Sequence, residues 1–228
     1  MEQRPPTIAQ EIADKMSVCP GRKATPPLSP ALQQRKAALI ERYPSRQDFL
    51  LAMNPSAQHL AAANEERAWF GNAPSLALLN HAYGSSSSAM WLLPQLFDLS
   101  EFCGCREKMD EQQAIELARI ITSEYGYLKA SELMLFFYYF KAGRYGRFYG
   151  AVDPLVITTT LREDFLPERE HAIDKREKEK LEAEREASHQ AWLQERKRAR
   201  AEGRPLYPEP PEDHPYTRYI KSQEGGKS

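Results

Sequence analysis

Three cysteines among 228 residues, Cys19, Cys103 and Cys105, are too few and odd in number for a disulfide scaffold. They suit a reducing compartment, and the chain reads as cytoplasmic. No apolar run reaches the roughly 18 residues of a membrane span. The first residues, MEQRPPTIAQEIADK, hold no apolar signal core. No membrane association is expected. An excess of one charge sign is missing too. The net charge is −1 at pH 7, so nucleic-acid binding would need a local basic patch. Strand-like patterning is nearly absent, and no repeat of solenoid length recurs.

Catalytic signatures are equally scarce. The chain has no phosphate-binding GxxxxGK[ST], no HExxH and no GxSxG. It therefore reads as non-enzymatic, and no cofactor is expected. Cys103-Gly104-Cys105 offers two thiols to a metal, but a closed zinc site wants four ligands. Cys19 falls in a segment expected to be disordered, and His81 is the one upstream histidine expected nearby. A reduced loop accounts for the two thiols more simply than a metal site or a Cys–His pair with His81. His59, His171, His189 and His214 read as exposed helix or tail residues.

What the chain does have is helix punctuation. Ser29-Pro30 reads as an N-cap followed by proline at the first helical position. A helix over residues 31–43 follows, with Leu32, Leu39, Ile40 and Tyr43 on one side, and Pro44 stops it. Ser45 with Asp48 is a capping-box restart. Asn54-Pro55 opens an alanine-rich helix expected to run through Trp69. Residues 74–83 form another, closed by Gly84. Ser85 to Ser88 make a turn and N-cap for the apolar stretch through Phe97, with Pro94 in an early turn or at a kink. Residues 99–105 read as a loop or frayed end. Asp110 with Gln113 caps the next helix, which Gly126 breaks or bends.

The densest apolar run lies within residues 131–165. Ser131 is expected to open a helix there, and Gly143 sits where a C′ glycine would. The Gly143 to Gly150 stretch is a glycine–aromatic–arginine loop. Asp153-Pro154 then starts a helix carrying Ile157, Leu161 and Phe165. Residues 133–140 and the β-branched 152–160 could pass for strands, but their flanks argue helix. Beyond Glu168 most residues are charged, with signs interleaved. Pairs such as Lys175/Glu179 and Lys180/Glu184 are each worth roughly 0.2–0.5 kcal/mol on a helix. Ile173, Leu181, Trp192 and Leu193 hold no heptad register. Gly203-Arg204-Pro205 ends this helix.

The chain is thus expected to be all-α: a disordered arm (1–29), a compact helical domain (30–167), a charged projecting helix (168–203) and a flexible tail (204–228). The candidate site is the loop with its flanks: Lys141, Arg144, Tyr145, Arg147, Phe148, Tyr149 and Arg162. Aromatics can stack on unpaired bases while cations neutralise phosphate, so the composition fits single-stranded nucleic acid. Aromatics there can equally fold under the helices as core.

Four segments, PSLALLNHAYG, DLSEFCG, YLKASELMLFF and FKAGRYGRFYGAVDPLVITTTLREDF, resemble an uncharacterised protein family of phages and mobile elements of Bacteroides-type gut bacteria. The glycine–tyrosine block followed by Asp-Pro is their most specific part. The resemblance implies a bacterial cytoplasmic protein on a mobile element and supports a role in DNA replication or transfer. It implies no catalytic residues. The expectation is a non-enzymatic accessory binding protein whose partner is nucleic acid or a replication protein. The alternative is an assembly protein that oligomerises through the helical domain.

Overall fold

The element around which the other helices gather is Ala130–Lys141, here α8. Its sequence, ASELMLFFYYFK, is apolar on every side. Leu133, Met134, Leu135, Phe136, Phe137, Tyr139 and Phe140 are all buried. A helix apolar all round must sit inside the core. In the computed structural model, residues 29–204 are described. The expected arm (but for Ser29), Cys19 and the tail beyond Arg204 lie outside the described residues.

The chain divides into two units at Ile173/Asp174. In the first, α1 (Pro30–Arg42), α2 (Arg46–Ala52), α3 (Gln58–Ala63), α4 (Glu65–Phe70) and α5 (Leu76–Tyr83) precede α6 (Ser87–Phe102) and α7 (Glu111–Glu124). After α8 comes α9 (Pro154–Thr160), a π turn (Leu161–Phe165) and α10 (Leu166–Glu202), which runs on into the second unit. Helices α3, α4 and α6 pack on α8, while α7 packs on α6 and α9 on α7. Two isolated β-bridges occur among the described residues, and no strand. The all-α expectation holds.

Several caps stand as expected. Ser29 caps α1, Ser45 and Asp48 form the capping box of α2, and Asp110 and Gln113 that of α7. Asp153 caps α9 with Pro154 at its first position. Four expectations need correction. The helix through Trp69 is instead a 3-10 turn, Pro55–Ala57, and two short helices broken at Asn64. The Asn64 side chain accepts from Arg67 N at 2.8 Å, a local bond that outweighs alanine propensity.

The second correction concerns α6. It continues past Pro94, which lies well beyond its first turn, and reaches Phe102, so residues 99–102 are helix and not loop. An interior proline costs about 3 kcal/mol. Burial of Trp91, Leu92, Leu93, Leu96 and Leu99 offsets it, at about 1.5–3 kcal/mol for each fully buried large side chain. The third concerns Ser131, which does not cap α8. Lys129 does, its N–H donating to Glu132 Oε2 at 2.8 Å. Ser131 Oγ instead donates to the Ala68 carbonyl at 2.7 Å, tying α8 to α4. Ile40, expected on the packed side of α1, is exposed.

Glu132 is buried, and its other oxygen pairs with Arg169 Nε at 2.9 Å. The start of α10 is thereby fixed to the core of the first unit. In the second unit α10 is charged, with i,i+4 pairs Lys175–Glu179 and Lys180–Glu184. It stops at Gly203, whose φ is +67°.

Candidate partner-binding site at the elbow

The loop between α8 and α9 is built on the end of α8. Gly143 N donates to Phe140 O and Arg144 N to Tyr139 O, both at 3.0 Å. This is the Schellman arrangement, and it needs a left-handed residue at Gly143, whose φ is +78°. At its far end the loop is pinned by Glu107. Glu107 N donates to Gly150 O at 3.1 Å, and Val152 N donates to Glu107 O at 3.0 Å. The elbow is therefore held at both ends by main-chain bonds.

Most of its side chains are committed inward. The Tyr145 ring stacks on Phe136, centroids 5.7 Å apart, and its hydroxyl donates to Glu168 Oε2 at 3.1 Å. Burial, and then the Glu168 carboxylate, push the Tyr145 phenol far above its ordinary pKa. Phe148 lies flat on Phe140 at 5.0 Å and 13°. Arg144 pairs with Glu168 Oε1 at 3.2 Å and sits 4.3 Å over the Tyr139 ring. Lys141 pairs with Asp98 and lies 5.5 Å over Phe102. Arg162 stands on the π turn and pairs with Glu163 at 2.8 Å.

Of the seven expected site residues, Arg147 and Tyr149 remain. Both are exposed, Tyr149 at 90%. The structure thus brings Lys141, at the end of α8, together with Arg144 to Tyr149 on the loop after it, but turns the faces of Tyr145 and Phe148 onto other rings. The two carboxylates that fasten the elbow, Asp98 and Glu168, were not foreseen. They lie 43 and 23 residues from their partners Lys141 and Tyr145, and nothing local in the sequence marks such pairings.

The two described cysteines are free and half-buried. Burial, aided by Cys105 and opposed by Lys141, pushes the Cys103 thiol up to about 11. A thiol raised in this way holds little thiolate at neutral pH. Among the described residues no three His, Cys, Asp or Glu side chains gather to hold a metal, and no helix is long and apolar enough to cross a membrane.

Residues 108–194 match a family of unknown function (DUF6633). The match runs from before α7 into α10 and includes the whole elbow. It agrees with an uncharacterised family and carries nothing on a phage or mobile-element origin. No curated protein and no solved structure matches the chain.

Proposed function

We propose that the chain is a non-enzymatic accessory protein that binds a partner macromolecule through the tip of the elbow, Arg147 and Tyr149. The observation that carries this reading is Tyr149. It is a large aromatic 90% exposed to water, on a loop whose other rings are packed and whose ends are bonded to the main chain. An aromatic held out on a fixed base loses little freedom when it binds. Tyrosine and arginine are also the residue types enriched at binding hot spots.

A protein partner fits this tip better than a nucleic-acid strand. A strand-binding track needs successive free rings and several unpaired cations. Here Tyr145 and Phe148 are covered, and Lys141, Arg144 and Arg162 are paired with carboxylates. A setting in a bacterial mobile element rests on the sequence resemblance alone.

The test compares the full chain with an Arg147→Ala/Tyr149→Ala variant as bait in the native host, with Arg162→Ala as control. The expected result is a discrete protein retained by the wild type and Arg162→Ala and lost from the double variant. Equal retention by all three overturns the reading. Salt-sensitive binding of a labelled single-stranded oligonucleotide that the double variant abolishes would keep the tip but overturn the protein partner.

A further inference from the structure

Beside the elbow lies a second feature with its own chemistry. An open cleft of about 360 Å³ is formed where the 3-10 turn and α3 face the ends of α6 and α8. That volume lies within the usual range for small-molecule sites. Phe102 and Tyr138 stand on its walls, 62% and 36% exposed. These are large, partly exposed rings at the rim of a concavity, with the Lys141 ammonium 5.5 Å over the Phe102 ring.

The polar groups of the cleft narrow the ligand. Asp98 and Lys141 pair through one carboxylate oxygen, Oδ2. Asp98 Oδ1 is left to accept, and the ammonium keeps hydrogens to donate. The two charges cancel, so neither a free anion nor a free cation is favoured. A zwitterion would have to split the pair to use it. His59 Nδ1 is 2.7 Å from the Ser56 carbonyl. A carbonyl can only accept, so Nδ1 carries hydrogen and Nε2 is the ring's open position.

Gln58 also lines the cleft and is 1% exposed. Its Nε2 donates to Gln95 Oε1 at 2.7 Å, and Gln95 Nε2 donates to Met53 O at 3.0 Å. This chain fixes both amides and leaves Gln58 Oε1 a buried acceptor with no partner. Such a group costs about 1–3 kcal/mol unless a donor reaches it.

We propose that this cleft binds an uncharged planar heteroaromatic ring of the nucleobase class. The ring would lie against Phe102 and Tyr138, with a donor–acceptor edge toward Asp98 and Lys141. The source is either a free nucleoside or a base turned out of a single strand. The proposal is independent of the elbow tip, because neither Arg147 nor Tyr149 lines the cleft.

The experiment titrates adenosine, guanosine, cytidine and thymidine into the full chain, followed by ligand-observed NMR. Tryptophan, inorganic phosphate and a single-stranded dodecamer are run in parallel. At least one nucleoside is expected to bind with Kd below about 1 mM. Phe102→Ala should weaken it about tenfold with thermal stability unchanged, since that ring is mostly exposed. Dodecamer binding tighter than the nucleoside's, and equally sensitive to Phe102→Ala, assigns the source to a strand; the reverse order assigns it to a free nucleoside. Either order supports the site. No nucleoside binding at about 5 mM, displacement by tryptophan or phosphate, or indifference to Phe102→Ala overturns it.

Discussion

Glu132→Gln should cost this small side chain's size in stability many times over. Glu132 is 1% exposed and holds two partners at once, the Lys129 N–H and Arg169. Glutamine keeps one oxygen, which satisfies Lys129. Its amide hydrogens then face the Arg169 guanidinium, leaving a partly buried charge without a counter-ion. Breaking such a pair costs about 3–5 kcal/mol. Arg169 keeps 20% of its side chain exposed, so the low end, about 3 kcal/mol, is expected. For a chain of this length that lowers Tm by roughly 6–12 °C. Arg169→Met should cost a similar amount, including its loss from over the Tyr127 ring at 5.5 Å. The double variant Glu132→Gln/Arg169→Met is the informative one. Replacing a whole buried pair by uncharged groups is often near neutral, so the double variant should be more stable than the sum of the singles, about 6 kcal/mol, by at least about 1–3 kcal/mol. Urea denaturation of the four proteins at one pH and salt concentration measures this. Singles costing under about 0.5 kcal/mol, or strict additivity, would refute the reasoning.

Two further outcomes follow from the titrating groups. The folded Tyr145 phenol is raised, so the native state holds its proton longer than the unfolded chain does. Its contribution is present at neutral pH and lost as pH rises past about 10. Urea midpoints of wild type should therefore fall from pH 9 upward more steeply than those of Tyr145→Phe; equal slopes would contradict this. In a Cys19→Ser/Cys105→Ser variant, which loses the Cys105 contribution but keeps the larger one from burial, alkylation of Cys103 by iodoacetamide should still be accelerating at pH 10, since burial raises its thiol. A plateau near pH 9 would show an ordinary thiol.

Much of this fold is legible locally because its helix ends are written in short-range chemistry. Ser45/Asp48, Asp110/Gln113, Asp153-Pro154 and Gly143 each mark a boundary through bonds two to five residues long. Two of the misreadings arise where distant packing overrides a local cue. Pro94 is carried through α6 by buried leucines, and Ser131 is drawn to Ala68, 63 residues away. The site divides the same way. Composition marks the elbow as unusual, but cannot say which of its rings face inward. That choice depends on Phe136, Phe140 and Glu168 arriving at the same place, which only the folded chain decides. The cleft is invisible for the same reason: His59, Asp98 and Lys141 are far apart in sequence.

Whether the elbow tip is a contact surface is tested most directly by placing a photo-crosslinking phenylalanine at position 149 in the native host. Discrete adducts to a protein, lost when Arg147→Ala is added, are the predicted result. No adducts at 149 beyond those from the same probe at exposed Leu181 would contradict it, and adducts to nucleic acid only would contradict the protein partner.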